Sequence, residues 1–201
     1  MAEVFTTKEL LGRDTTRGKK LTKEFEGFDS FPYVDEIKQK DDSVKDVLTS
    51  GYGFNLDDPE IQKILPEGYL AAVHGDLSRS AELSQPEADK IFDVLYERAE
   101  KDAVKYLGSQ KLFDELDNDL QDNLVDMSYN LGLTELKGFD DMKEGFLAKD
   151  RKKIADEMKD SDWYTQTGRR GRHHVETTQG KRSMLDLSAL NPFSAGVAEA
   201  G

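Results

Sequence analysis

Residues 84–108, SQPEADKIFDVLYERAEKDAVKYLG, decide the fold. The apolar residues of this stretch recur on one helix face, at Ile91, Leu95, Ala99, Ala103 and Leu107. Ser84 and Glu87 have the spacing of a capping box, and Pro86 stands in the first turn, where its missing N–H does no harm. Gly108 closes the pattern. The stretch therefore predicts one helix of roughly 35 Å, long enough to connect two lobes.

The chain that follows this helix is predicted to be helical. Leu120, Leu124, Met127 and Leu131 form a stripe on one helix face, and Gly132 is a predicted C-cap. Two shorter helices are expected over residues 140–148 and 151–158. A further segment, rich in Thr and Arg, begins at Trp163, whose indole is more typical of the core than of a sugar-stacking surface.

Three successive sequence patterns precede the long helix. Leu21 and Phe25 have helical spacing, which predicts a short helix over residues 17–27. Residues 28–55 contain short aromatic and β-branched runs between polar turns, which predict a small antiparallel sheet with Pro32 at the edge or start of a strand. A short helix is expected around residues 59–65, within a region otherwise rich in loops.

The composition excludes several classes of protein. The 201 residues carry a net charge of −13 and contain no cysteine, so disulfides, thiolate metal sites and a cysteine nucleophile are excluded. No run of eighteen apolar residues exists, so no membrane span is predicted, and the first twenty residues lack the apolar core of a secretory signal. A strongly acidic chain is not expected to bind nucleic acid without a local basic patch, and no nucleic-acid partner is predicted.

Positive charge is concentrated in one segment. Residues 163–182 contain five basic residues and one acid, Glu176, so this segment carries +4 while the rest of the chain carries −17. The segment is either a local contact for an anion or a solvated helix end. No metal site is predicted, because Asp41, Asp42 and Asp46 lack the EF-hand spacing and the adjacent His173 and His174 point apart.

Two carboxyl groups near the N-terminus are candidates for acid–base chemistry. Glu26 lies beside Phe25 and Phe28, and apolar neighbours favour the neutral, proton-donating form of a carboxyl. Asp35 follows nine residues later, and Thr49 precedes the glycine-rich turn 51–53. Hydrolysis of a glycosidic bond needs two such carboxyls. One donates a proton, and the other activates water or stabilises the developing positive charge.

These residues resemble the active-site segment of the phage-type lysozymes, glycoside hydrolase family 24. The resemblance lies in Glu26-Gly27, in Tyr33-Val34-Asp35 and in Thr49-Ser50-Gly51-Tyr52-Gly53. A second block, Tyr129-Asn130-Leu131-Gly132, Gly138-Phe139 and Trp163 to Thr167 with Arg170, is similar to the C-terminal lobe of T-even phage lysozymes. Together the two blocks span residues 17–182, with a polar arm over 1–16 and a tail over 183–201.

The resemblance implies a fold and an activity. The fold would be α+β and mostly helical, with a small sheet lobe, the linking helix and a helical C-terminal lobe around a cleft. The activity would be that of a muramidase, cleaving the β-1,4 bond between N-acetylmuramic acid and N-acetylglucosamine in peptidoglycan without metal or cofactor. The implied source is a bacteriophage.

The resemblance also implies roles for single residues. Glu26 would be the general acid, Asp35 would activate the water or stabilise the oxocarbenium-like centre, and Thr49 would help to hold that water. A further five residues are predicted to contact the substrate: Tyr33, Gly51, Gly53, Gln166 and Arg170, the last in either a substrate or a structural contact.

The sequence departs from the family pattern at two places. Thirteen residues separate Asp35 from Thr49 where compact members have about five, and the charged insert 36–48 is expected to lengthen the sheet or to add a flap at the cleft rim. Phe54-Asn55 replaces the histidine common after the second glycine.

Two alternatives to hydrolysis stay open. A lytic transglycosylase needs only the glutamate, and a virion structural component would use the fold as a binding module for other particle proteins. A free enzyme is expected to be a monomer that acts on the cell wall, either released from the host cytoplasm through a pore or carried in the virion.

Overall fold

Ten helices and one three-stranded antiparallel sheet make up the described parts of the chain, residues 14–38, 43–75 and 81–183, in a computed structural model. The fold is α+β and mostly helical, as predicted. The described residues form two compact units: one lies within residues 25–95, and the other consists of the described residues before residue 25 and after residue 95. The predicted arm and tail lie almost wholly outside the described residues.

The smaller unit, residues 25–95, contains the sheet. Helix α1 (Thr16–Glu26) enters it, and strands β1 (Asp29–Lys38), β2 (Val44–Gly51) and β3 (Phe54–Asn55) follow in the spatial order β1-β2-β3. Helices α2 (Pro59–Gln62) and α3 (Tyr69–Gly75) complete the unit, together with the first part of α4 (Gln85–Leu107). The sequence analysis placed α2 correctly but too long, and it missed α3.

The charged insert lengthens the sheet, the first of its two expected forms. Glu36 pairs with Asp46 and Lys38 with Val44, so β1 and β2 run on well beyond the positions of Asp35 and Thr49. The register of β1 shifts between Asp29 and Tyr33, a stretch that contains Pro32. Proline is tolerated there because β1 is an edge strand, as predicted.

Helix α4 has the capping predicted for it. The backbone N–H of Ser84 donates to Oε2 of Glu87 at 3.1 Å, and the Ser84 hydroxyl donates to the same oxygen at 2.5 Å. These bonds favour the ionised carboxylate and lower the pKa of Glu87. Residues up to Leu95 belong to the smaller unit and residues from Tyr96 to the larger one, so the helix contributes to both.

The larger unit is helical. It contains α5 (Gln110–Asp114), α6 (Asn118–Leu136), α7 (Asp140–Ala148), α8 (Arg151–Lys159), α9 (Asp162–Thr167) and α10 (Arg169–Thr178). Gly132 interrupts α6 with a φ of 71°, so the predicted break is present although the helix resumes beyond it. The sequence analysis did not anticipate α5, nor the division of the last segment into α9 and α10 at Gly168.

Candidate active site

Glu26 is the last residue of α1, next to a glycine that ends the helix. Gly27 has a φ of 71°, a conformation that favours glycine and turns the chain toward β1. The Glu26 side chain is half-buried, and its Oε1 atom is shielded from solvent. A helix end beside a sheet thus holds the carboxyl in place.

The β1–β2 ladder places Asp35, Tyr33 and Thr49 on one face. Tyr33 lies directly opposite Thr49, and Asp35 lies opposite Val47. Side chains two residues apart in a strand share a face, so those of Tyr33 and Asp35 project on the same side as that of Thr49. Asp35 is exposed, whereas Thr49 is buried and its hydroxyl donates to the Val47 carbonyl at 3.2 Å.

The glycine-rich turn approaches the Glu26 carboxyl. Gly53 has a φ of 77°, and a Cβ atom on this residue would lie 3.3 Å from Oε2 of Glu26. Gly51 has a φ of 66°, and a Cβ atom there would overlap the Phe54 ring at 2.4 Å. Both positions need glycine, the first for the space beside Glu26 and the second for the turn itself.

The residues between and around these glycines fix the turn. The Tyr52 ring packs against Phe28, Phe54 and Phe92 at centroid distances of 5.3, 6.1 and 5.4 Å. Its hydroxyl donates to Oδ1 of Asp89 at 2.8 Å. The Tyr69 hydroxyl donates to the buried Ser50 hydroxyl at 2.8 Å, so the turn is held on both sides.

The pKa of the Tyr33 phenol depends on both candidate carboxyls. Burial raises the pKa of its phenol, and the negative charges of Asp35, Asp29 and Glu26 raise it further. Asp35 and Glu26 are therefore close enough to the phenol to disfavour its ionisation. The neutral hydroxyl can donate a hydrogen bond to a carboxylate or to a sugar oxygen.

The predicted residues Gln166 and Arg170 belong to the larger unit. Gln166 is exposed on α9. Arg170 on α10 is buried, and its guanidinium makes two bonds to Asp126, from Nε at 2.7 Å and from Nη2 at 2.9 Å. Of the two contacts predicted for Arg170, this geometry favours the structural one.

The sequence analysis missed the network in which Arg170 takes part. His174 places one ring nitrogen 2.5 Å from Asp126 and the other 2.5 Å from the Asn123 amide oxygen, and Thr22 donates to Asp126 at 2.7 Å. Burial alone would raise the pKa of Asp126, but the charges of Arg170 and His174 outweigh it and hold that pKa well below its usual range. We call these five residues the buried charge network.

Trp163 is buried, as predicted for a core aromatic, and it packs on this network. Its ring stacks on His174 with a centroid distance of 5.7 Å and an interplanar angle of 7°, and its N–H donates to Asn130 at 2.8 Å. The only sequence signal for this network is weak: it is the adjacent pair His173 and His174, since buried imidazoles need hydrogen-bond partners. The partners of His174, Asp126 and Asn123, stand 48 and 51 residues away in sequence.

The described residues contain no cluster of three or more histidine, aspartate or glutamate side chains arranged to hold a metal ion. Within the same residues, none of the helices combines the length and the apolar character that crossing a bilayer requires. The chain matches no model of a known protein family and no curated protein sequence.

Proposed function

We propose that this chain is a muramidase that hydrolyses the β-1,4 bond between N-acetylmuramic acid and N-acetylglucosamine in peptidoglycan. One observation carries the proposal: the β1–β2 ladder places Asp35 on the same face as Tyr33 and Thr49, and the turn after β2 brings Gly53 beside the partly shielded Glu26 carboxyl. Glycosidases use two carboxyl groups in different surroundings for acid–base catalysis. Here the Glu26 carboxyl is partly shielded and the Asp35 carboxyl is exposed.

In this mechanism Glu26 donates its proton to the glycosidic oxygen as the bond to the anomeric carbon breaks. The carboxyl lies at the end of α1, where its Oε1 atom is shielded from solvent. Positive charge then develops on the sugar ring, and the exposed carboxylate of Asp35 either stabilises it or activates the attacking water. The Thr49 hydroxyl, which donates to Val47, keeps its lone pairs to accept a bond from that water.

Tyr33 and Gly53 have supporting roles in the proposal. The neutral Tyr33 phenol donates a hydrogen bond to a sugar oxygen or to one of the carboxylates. Gly53 leaves open the space next to Oε2 of Glu26 that a glycosidic oxygen has to enter. The substrate lies outside the host membrane, so the enzyme reaches it through a pore or is carried in the virion.

The decisive experiment is lysis of purified peptidoglycan, followed by mass spectrometry of the products. Glu26→Gln is expected to reduce the rate by roughly 10²- to 10⁴-fold, the usual contribution of a positioned general acid. Asp35→Asn is expected to cause a comparable loss. Glu24→Gln on α1 and Asp46→Asn on β2 are controls, because each removes one exposed carboxylate from the helix that carries Glu26 or from the hairpin that carries Asp35, and both should retain full activity.

Three outcomes would count against the proposal. A Glu26→Gln variant that folds and keeps wild-type activity would exclude Glu26 as the acid. Products ending in 1,6-anhydromuramic acid would assign the chain to the lytic transglycosylases instead. Absence of any wall-degrading activity, combined with recovery of the protein in purified phage particles, would favour the virion structural role.

A further inference from the structure

A small basic pocket lies in the larger unit, on the face of α10 opposite the buried charge network. Its volume is about 180 Å³, and its lining consists of Arg169, Arg172, His173, Glu176 and Arg182. The first four have the i, i+3, i+4, i+7 spacing of one helix face. One face of α10 therefore forms most of the pocket, and Arg182, in the chain after the helix, completes its lining.

A turn after α10 brings Arg182 back to the helix. The N–H of Gly180 donates to the Thr177 carbonyl at 3.0 Å, and the N–H of Lys181 donates to the Glu176 carbonyl at 2.9 Å. Gly180 has a φ of 68°, which allows the reversal. Arg182 then pairs with Glu176, with 2.8 Å between Nε and Oε2.

The lining of the pocket is basic. It contains three guanidinium groups and one carboxylate, a formal charge of +2 before His173 is counted. Arg172 is exposed and forms no ion pair within the described residues. The whole chain carries −13, so its overall field repels anions, and attraction to this pocket has to be local.

The helix that carries the pocket is firmly anchored. On its other face Arg170 and His174 bond Asp126, and Asn123 donates to Thr177 at 2.9 Å and to Thr178 at 3.0 Å. His173 is only 1% exposed and forms a rigid part of the lining. Guanidinium groups on a fixed backbone lose less conformational entropy when they bind an oxyanion.

We propose that this pocket binds a phosphate group carrying two negative charges. A tetrahedral phosphate offers oxygens to several guanidinium groups at once, and its charge matches the +2 of the lining. A carboxylate offers only two coplanar oxygens and one charge. The phosphate is either free or the terminal group of a phosphate monoester. This inference does not depend on the proposed muramidase activity.

The test is a calorimetric titration of the full chain at a constant ionic strength of about 0.15 M, with inorganic phosphate, phenyl phosphate and acetate in separate arms. Saturable binding of one or both phosphates, with acetate much weaker, is expected. Tighter binding of phenyl phosphate would identify a monoester as the ligand, and equal or tighter binding of inorganic phosphate would identify the free anion; either result supports the site.

Variants separate a built site from general electrostatics. Arg172→Gln is expected to weaken phosphate binding about tenfold, because it removes a charge-assisted bond. Lys181→Gln, which removes one exposed positive charge beside the pocket but not in its lining, should change it by less than about twofold. Glu176→Gln removes the competing carboxylate and is expected to tighten binding, a result that loss of folding cannot mimic.

The proposal would be overturned by any of three results. The first is a wild-type titration without saturation. The second is acetate binding as tight as phosphate binding. The third is equal weakening by Arg172→Gln and Lys181→Gln, since that equality would mean that diffuse charge alone attracts the anion.

Discussion

One aspartate from each unit of this chain shows the contrast between a buried and an exposed carboxylate. In the larger unit, Asp126 is buried and accepts hydrogen bonds from Arg170, His174 and Thr22. In the smaller unit, Asp35 is exposed on a sheet, and no hydrogen bond to its side chain is found within the described residues. A carboxylate with saturated partners stabilises a fold, whereas one with open lone pairs is available to a ligand.

Alanine substitution of each aspartate should give the largest difference in the free energy of unfolding between the two sites. Asp126→Ala leaves the Arg170 guanidinium buried without its partner, which is expected to lower the free energy of unfolding by about 3–5 kcal/mol. Asp35→Ala is expected to change it by less than about 0.5 kcal/mol. Urea unfolding followed by fluorescence suits the comparison, because the single tryptophan, Trp163, stacks on His174. Equal effects of the two substitutions would contradict it.

The glycine-rich turn offers a second comparison, inside the smaller unit. Gly51→Ala is expected to destabilise the unit by about 2–4 kcal/mol, since it combines a left-handed backbone with overlap of the Phe54 ring. Gly53→Ala meets only the Glu26 carboxylate, so a smaller loss of about 1–2 kcal/mol is expected.

Hydrogen exchange of the β2 amides would measure both changes. If the proposed function holds, Gly53→Ala lowers wall lysis by more than its loss of stability explains, because the new methyl group crowds Glu26. A Gly53→Ala variant with unchanged lysis would show that the space beside Glu26 is not used.

Acid should remove the stability that the Asp126 carboxylate contributes through its buried partners. The pKa of Asp126 is depressed in the folded chain, so below its unfolded value of about 3.9 the unfolded state takes up a proton first. Stability should therefore be present above that pH and fall with further acidification, by about 1.4 kcal/mol per pH unit.

The slope of unfolding free energy against pH, read from Trp163 fluorescence, measures this effect. Asp126→Asn should flatten the slope in this range. A slope that survives in Asp126→Asn would assign the acid sensitivity to other carboxyls.

The smallest expected effect is on the titration of Tyr33. After burial, the negative charge of Asp35 is the largest cause of its raised pKa, so Asp35→Asn should lower that pKa part of the way toward its ordinary value. NMR titration of the tyrosine ring signals would measure the change. Asp46→Asn, farther along the hairpin, is the control. A Tyr33 titration unmoved by Asp35→Asn would separate the two residues and weaken the proposed site.

Much of the smaller unit's candidate site could be predicted from sequence because its parts are local. A hairpin fixes the register of Tyr33 and Thr49, and helix-ending and turn glycines position Glu26 and Gly53 within a short stretch of chain. The roles assigned to Glu26, Asp35 and Thr49 came from resemblance, and they stay predictions. Helices α3 and α5 were missed because short helices give little periodic signal.

What the sequence by itself determined is therefore the local structure: the long capped helix, the stripe of α6, the hairpin and the concentration of positive charge in residues 163–182. Only the tertiary structure decided how that charge is used. Arg170 turns inward to Asp126, 44 residues away, while Arg172 and Arg182 line an open pocket. The physical reason is that burial selects partners by distance in space, and neither spacing nor composition encodes that distance.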